Sequence, residues 1–239
     1  AVDKADTVKN EIISEYPNTH YAKVLSGEII DQSNSPEKVY KKLYQDYQNG
    51  MFTETLDEVN KMIDVYAGSD IIEKFEMLKA RILARTQGIA AYKEAVLKVN
   101  ELYPLTDEGK EAKRILEQEI PNLEQLTLNE EESNNWKMIY DLSIETEASI
   151  KDLTAKINKY IADTHNNKLK LSTDLYDNNK QLLVIHGFLS KETALAVNAL
   201  LQDVKGYKVK QKGLPISIHN YKVIQIHKNL EQYIIASNK

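Results

Sequence analysis

The residues of this chain that could carry out acid–base or metal chemistry are five histidines and 36 acidic side chains among 239 residues. Two histidines that chelate zinc from one helix are about one turn apart, and no pair here has that spacing. His219 and His227 are eight residues apart, in a region that is not predicted to form one continuous helix. We therefore expect no metal site and place the histidines at the surface or in turns; they are His20, His165, His186, His219 and His227.

Other catalytic signatures are missing from the sequence. The chain has no cysteine, so it has no thiol nucleophile, thiolate zinc site or disulfide. Its eight glycines are scattered singly, without a phosphate-binding loop or a Gly-x-Ser-x-Gly motif. The run Glu130-Glu131-Glu132 is expected to be a solvated spacer, because acid–base catalysis needs burial or a partner to tune a pKa. We expect no enzyme activity and no cofactor.

Charge is spread unevenly along the chain. Residues 1–128 carry 16 basic and 23 acidic side chains, and residues 129–239 carry 15 and 13, for a total of −5. This balance gives no concentrated basic face for nucleic acid. No apolar run approaches the roughly 20 residues that span a bilayer. Because the chain starts at Ala1 without Met or a signal peptide, we expect a fragment or processed form that lacks any export signal or lipid anchor.

The first half predicts stacked helical hairpins over residues 1–122. Apolar stripes at helical spacing are interrupted at Asn49-Gly50 and again at Gly88, 38 residues after Gly50, which is a repeat period typical of TPR-like hairpins. Stacked hairpins form surfaces that hold other proteins. The tyrosines of the first stripe either fill the core or anchor a partner, and those chosen as candidate partner-binding residues are Tyr40, Tyr44 and Tyr47.

The second half predicts an α+β domain over residues 136–239, after Pro121 ends the helical half and residues 123–135 form a linker. The periodicity predicts the order β-α-β-β-α-β with a final helix, which is the ferredoxin-like arrangement. The four strands of this order are Trp136–Leu142, Leu169–Thr173, Gln181–Ile185 and Leu214–Ile218, and the helices are Glu145–Thr164, Lys191–Val204 and Leu230–Ser237; Tyr207–Lys210 is considered as a further short strand.

Two groups in this half are candidate partner-binding residues. Trp136 and Tyr140, with Met138, form an exposed docking patch if helices leave their face of the sheet open, and core if helices cover it. Core is favoured, because a sheet usually buries its more apolar face. The lysines near a strand edge could bind an anionic glycan or an acidic protein, or could discourage edge-to-edge aggregation; they are Lys205, Lys208, Lys210 and Lys212.

Four segments of the second half carry a resemblance to a known family. They are Leu175–Phe188 with Lys191–Ala194, Ile216–Tyr221, and Lys228–Tyr233. This half resembles a domain of the SprE/PorW family, the tetratricopeptide proteins of the type IX secretion and gliding-motility machinery, and the helical repeats ahead of it are also similar to that family.

The resemblance implies a non-enzymatic periplasmic lipoprotein associated with the outer membrane. Such a protein would be a scaffold for protein transport, with ring or translocon components of the secretion machine as its partners. Its lipid-anchoring cysteine does not occur in this chain. The alternative is a peptidoglycan- or glycan-binding module that uses the sheet and the lysine-rich edge of the C-terminal domain.

Overall fold

A computed structural model describes residues 2–17, 19–28, 35–129, 133–165 and 167–237, with the backbone alone for Val2, Asp3 and His20. The chain divides into two compact units. The helical unit comprises residues 1–84 and 89–122, and the sheet unit comprises residues 85–88 and 123–239. Helices together with one four-stranded antiparallel sheet confirm the expected α+β composition.

Helices begin and end where the sequence carries start and stop signals. Thr19 caps α2 by accepting a hydrogen bond from the Ala22 N–H, and α3 begins at Pro36 as predicted. Asn49-Gly50 separates α3 from α4, and Gly88, with φ of +86°, separates α5 from α6. The helices of this half are α1 Val2–Glu15, α2 His20–Ser26, α3 Pro36–Gln48, α4 Phe52–Val65, α5 Ile72–Thr86, α6 Ile89–Leu102, α7 Asp107–Arg114 and α8 Ile120–Glu124.

Helix α5 is the packing centre of the helical unit, because it is apolar on two faces. Phe75 and Ile82 pack with residues of α3 and α4 in one core cluster. Met77 and Ala80 pack with residues of α6 and α7 in a second cluster. Neighbouring helix pairs therefore share their buried surface, which a single pair could not bury alone.

Pro121 does not end its helix, contrary to the expectation of a stop at this residue. A five-residue π-helical turn, Ile115–Glu119, joins α7 to α8, and the helix continues through Pro121 to Glu124. Proline lacks an N–H and its ring clashes with the carbonyl four residues earlier in an α-helix. In the π turn the Ile120 N–H donates to the Ile115 carbonyl, so the wider turn just before the proline relaxes that constraint.

The described residues of the sheet unit form four strands in the order β2-β3-β1-β4, with every neighbouring pair antiparallel. Gln181–Phe188 is an interior strand, as its apolar run predicted, and the turn at Asp177–Asn179 joins it to β2. The elements are β1 Trp136–Asp141, α9 Glu147–Asp163, β2 Lys170–Leu175, β3 Gln181–Phe188, α10 Lys191–Asp203, β4 Leu214–Ser217, α11 Ile218–His227 and α12 Leu230–Ser237.

Helices cover both faces of this sheet. Met138 and Ile185 point to the face that α9 and α10 cover. Ile139 and Val184, one residue along each strand, point to the face that α11 and α12 cover. Because side chains alternate along a strand, each interior strand supplies both cores.

Two predictions in this half are wrong. Tyr207–Lys210 is not a strand, because Lys208 adopts φ of +47° and the Val209 N–H turns back to donate to the Leu201 carbonyl. His219 and His227 do lie on one continuous helix, α11. That helix starts directly after β4, where the Ser217 hydroxyl accepts a hydrogen bond from the Asn220 N–H.

The described part of the expected linker lies against α11. The Nε2 atoms of His219 and His227 are 2.8 and 3.1 Å from the carbonyl oxygens of Thr127 and Leu123. The Asn129 N–H donates a 3.0 Å hydrogen bond to Asn220 Oδ1, and Asn220 Nδ2 donates one of 2.7 Å to the Asn129 carbonyl. Residues 123–129 are thus fixed within the sheet unit, while Glu130-Glu131-Glu132 lies outside the described residues.

Candidate functional site

The predicted tyrosines of α3 lie together on the helical unit. Tyr40, Tyr44 and Tyr47 are spaced four and three residues apart, so they share one side of the helix. The ring centroids of Tyr40 and Tyr44 are 6.0 Å apart, and those of Tyr44 and Tyr47 are also 6.0 Å apart. The edge of Phe75 meets Tyr40 and Phe52 meets Tyr47, each at 5.6 Å, so the core holds the row in place. All three tyrosines remain half-buried.

Arg81 of α5 lies beside this row. It interacts electrostatically with Tyr40 and with Tyr92 of α6. Burial raises the pKa of both tyrosines and the Arg81 charge opposes that shift. In the described part of the chain we find no hydrogen bond or ion pair for the half-buried Arg81 guanidinium. We call Tyr40, Tyr44, Tyr47, Arg81 and Tyr92 the tyrosine surface.

Carboxylates of α7 adjoin the tyrosine surface. Glu108 acts electrostatically on Tyr40, and Glu111 acts on Tyr92. Two hydrogen bonds of 2.7 Å from Arg114 hold the pKa of Glu111 below its usual value. Aromatic faces, an uncommitted guanidinium and neighbouring carboxylates together suit contact with another polypeptide, because tyrosine and arginine dominate binding energy at protein interfaces.

Trp136 and Tyr140 do not form a docking patch. Tyr140 is fully buried, and its hydroxyl donates a 2.9 Å hydrogen bond to Asn198 Oδ1. Trp136 is half-buried, packs against the same core and donates from its indole nitrogen to the Ser133 carbonyl at 2.8 Å. Tyr140 therefore belongs to the core, as the favoured interpretation predicted, and its choice as a candidate partner-binding residue was wrong, because α9 and α10 cover its face of the sheet.

The four predicted lysines are all exposed, in the segment between α10 and β4. They do not lie on an edge strand, so the aggregation-blocking explanation does not apply in the form predicted. Val209 is buried between them and ties the segment to the domain core. The lysines belong to the sheet unit and the tyrosine surface to the helical unit.

A polar cluster that sequence reasoning missed lies on the α11-covered face of the sheet. Lys137 Nζ is 2.6 Å from His186 Nδ1, and Ser172 Oγ is 2.7 Å from His186 Nε2. The Ser172 hydroxyl donates to Asp174 Oδ1 at 2.7 Å, and the Tyr221 hydroxyl donates to Asp174 Oδ2 at 2.5 Å. Lys137 is only 9% exposed, and its ammonium also lies 5.2 Å from the Tyr221 ring centroid.

Proton positions in this cluster do not suit nucleophilic catalysis. A protonated Lys137 can only donate, so Nδ1 of His186 accepts and its Nε2–H donates to Ser172. Ser172 in turn gives its proton to Asp174 and not to the imidazole, whereas a catalytic serine gives its proton to histidine. Burial, then the Lys137 charge, lowers the pKa of His186. The cluster therefore ties three strands to α11 with one charged network.

A signal for the cluster exists in the sequence. Ser172 and Asp174 alternate on β2, and Lys137 precedes Ile139 by two residues on the same side of β1. Polar residues at every second position of strands that helices cover indicate a buried network. The strand order, which sets these residues side by side, is not readable from local pattern.

The described residues hold no group of three or more His, Asp or Glu side chains placed to bind a metal ion. Among the described helices, none is both long and apolar enough to cross a membrane. Comparison of the chain with models of known protein families gives no match, and comparison with curated protein sequences gives none either.

Proposed function

We propose that this chain is a non-enzymatic adaptor that docks another protein on the tyrosine surface. The observation that carries the proposal is the half-buried Arg81, without a hydrogen bond or ion pair in the described part of the chain, beside the row Tyr40-Tyr44-Tyr47. The tyrosine rings lose little side-chain entropy on binding, because the core already holds them, and this favours an interface.

The fold supports the same proposal in finer terms. Helix pairs that share buried surface through α5 support TPR-like repeats, and proteins of that architecture use their surfaces for binding. The strand order β2-β3-β1-β4, with α9 and α10 as crossover helices between strands, supports a ferredoxin-like βαββαβ domain with added C-terminal helices. Fold alone does not define function, so the binding surface carries the proposal.

The partners we propose are ring or translocon components of a type IX secretion and gliding machine. The resemblance of the sheet unit to the SprE/PorW family motivates this choice. On the same resemblance we propose a periplasmic location at the outer membrane, with a lipid anchor.

An affinity pull-down from a solubilised envelope of a gliding, type IX-secreting bacterium tests this function. We expect ring or translocon components to be recovered with the native chain and reduced at least fivefold with Tyr44→Ala or Arg81→Gln, since hot-spot losses exceed about 1 kcal/mol. Tyr16→Ala is the matched control, because Tyr16 is 58% exposed on the same unit. Equal recovery with all four proteins contradicts the proposal.

A second candidate function is binding of an anionic glycan such as peptidoglycan by the lysine segment. The observation that favours it is that Lys205, Lys208, Lys210 and Lys212 are all exposed within eight residues. Co-sedimentation with purified cell-wall sacculi at low salt tests it, with the double variant Lys208→Ala/Lys210→Ala as the comparison. Pelleting no greater than that of an unrelated acidic protein excludes this function.

A further inference from the structure

A cleft of about 130 Å³ opens in the sheet unit between the end of β1, the start of β4 and helix α12. Its apolar wall comes from Ile139 and Leu182 on the sheet and Leu230 on α12, which are all buried. Leu214 and Ile234 are half-buried and complete that wall. The cleft is separate from the polar cluster and from the lysines that the sequence analysis proposed as a glycan surface, except for Lys212.

The size of the cleft limits what it can hold. An apolar cavity of about 150 Å³ accommodates one benzene molecule. The cleft therefore takes one phenyl or isobutyl group, the apolar part of phenylalanine or leucine.

A carboxylate is fixed beside the apolar wall. Asp141 Oδ1 accepts hydrogen bonds from the Ser143 N–H at 2.9 Å and the Ser143 hydroxyl at 2.6 Å. Lys180 Nζ is 3.0 Å from Asp141 Oδ2. Burial alone would raise the pKa of Asp141, but these hydrogen bonds outweigh it and lower the pKa, so the group is ionised at neutral pH.

Asp141 retains room for one more donor. A carboxylate offers about four acceptor positions, and Ser143 and Lys180 use three of them. The remaining position can receive an ammonium group of a ligand. Glu231, whose carboxylate is 3.4 Å from Lys180 Nζ, offsets the positive charge of that lysine.

A cation lines the same cleft. Lys212 is exposed, and no hydrogen bond or ion pair involves its ammonium within the residues that the structure describes. The cleft thus combines an apolar pocket with one anionic and one cationic group. An α-amino acid with an apolar side chain matches all three features, because its ammonium and its carboxylate are both attached to the α-carbon.

We propose that this cleft binds a free apolar amino acid of the size of leucine or phenylalanine. The side chain enters the apolar pocket, the α-carboxylate pairs with Lys212 and the α-ammonium donates to Asp141. This site belongs to the sheet unit alone, so it stands or falls independently of docking on the tyrosine surface.

Calorimetric titration of the full chain with L-phenylalanine and L-leucine tests the site. We expect dissociation constants on the order of 0.1–1 mM, in line with the binding energy available to so small a ligand. L-Alanine lacks the apolar group, N-acetyl-L-phenylalanine lacks the ammonium and L-phenylalanine amide lacks the carboxylate. Each should bind at least about tenfold more weakly, because each loses one of the three contacts.

Variants of the chain separate the cleft from general surface binding. Lys212→Ala should weaken the binding of L-phenylalanine at least about fivefold. Lys210 is an exposed lysine outside the cleft, so Lys210→Ala should leave the binding unchanged. Ile234→Trp should fill the pocket and abolish binding while the chain remains folded.

Three results overturn the proposal. One is the absence of heat of binding for both amino acids up to about 10 mM, well above the expected constants. Another is binding of N-acetyl-L-phenylalanine as tight as that of L-phenylalanine, which points to a polypeptide C-terminus instead of a free amino acid. The third is binding that Lys212→Ala and Ile234→Trp leave unchanged.

Discussion

Lys137 Nζ lies 2.6 Å from His186 Nδ1, so two basic side chains meet directly on a covered face of the sheet. Only one of them can carry the positive charge without strong repulsion, since like charges at this distance disfavour the charged form. Burial lowers the pKa of each, although Asp174 opposes both shifts. At neutral pH the arrangement is therefore a charged lysine beside a neutral imidazole.

Protonation of His186 should destabilise the sheet unit. The unfolded chain binds this proton with a pKa of about 6.5, and the folded chain binds it only at lower pH. The unfolded state therefore holds more protons below about pH 6.5, and the free energy of unfolding falls as the pH drops through the folded pKa. His186→Gln keeps a hydrogen-bonding side chain and should lose this pH dependence.

Urea unfolding between pH 7 and pH 5 measures the effect. Trp136 is the single tryptophan and lies in the sheet unit, so its fluorescence follows that unit. As the pH falls, the free energy of unfolding of the native chain should decrease more steeply than that of His186→Gln. The difference is at most about 1.4 kcal/mol per pH unit, which is the limit for the uptake of one proton. Parallel stability curves for the two chains would show that His186 does not titrate against Lys137.

Tyr140→Phe should lower stability and leave partner binding unchanged. The substitution removes the buried hydroxyl that donates to Asn198 Oδ1, and Asn198 is itself only 8% exposed. A buried acceptor left without a donor costs about 1–3 kcal/mol. The double variant Tyr140→Phe/Asn198→Leu removes both polar partners and should recover part of the loss. A shift in partner recovery with unchanged stability would contradict burial of Tyr140.

Gly187 should tolerate no side chain. It is the extra residue of β3 between His186, which pairs with Lys137, and Phe188, which pairs with Trp136, and its φ is +98°. An added Cβ would lie 2.2 Å from the Lys168 carbonyl oxygen. Gly187→Ala should cost more than about 2 kcal/mol, because backbone strain adds to this clash.

Gly206→Ala is the matched control for that substitution. At Gly206 the nearest atom to an added Cβ is Lys159 Nζ at 3.5 Å, which is an ordinary contact at a flexible side-chain end. Thermal unfolding of both variants, followed by Trp136 fluorescence, gives the comparison. Equal melting temperatures for the two would mean that β3 can absorb the side chain by shifting away from Lys168.

Local sequence signals predicted most of the individual elements. Ser35-Pro36 marks the start of α3, and the apolar run after Gln181 marks an interior strand, because both depend on neighbours in the sequence. Helix α11 was missed for the same reason. Its residues Val223, Ile224 and Ile226 are β-branched and it lacks a single apolar stripe, so a short segment of this kind cannot be told from a strand by pattern.

The site features depended on long-range geometry and were less predictable. Tyr40, Tyr44 and Tyr47 share a helix, so their proximity follows from spacing, but Arg81 joins them only through the packing of α5 on α3. Lys137 and His186 are 49 residues apart and meet because β1 pairs with β3. Tyr140 shares one face of β1 with Met138, as the alternating pattern predicted. The chain topology, and not that pattern, determines which face of the sheet the helices cover.

The N-terminus of α10 offers the clearest test of a local signal. Ser190 Oγ accepts a 3.2 Å hydrogen bond from the Thr193 N–H, and Thr193 Oγ1 accepts one of 3.2 Å from the Ser190 N–H. These two hydrogen bonds satisfy two backbone N–H groups that have no acceptor within the helix. Ser190→Ala should therefore lower the free energy of unfolding by about 1 kcal/mol. Ser190→Asp keeps the acceptor and adds charge next to the positive helix end, so it should preserve stability. Urea midpoints read from Trp136 fluorescence distinguish the two. A loss as large for aspartate as for alanine would mean that packing around the Ser190 hydroxyl, and not the hydrogen bond, stabilises this end of the helix.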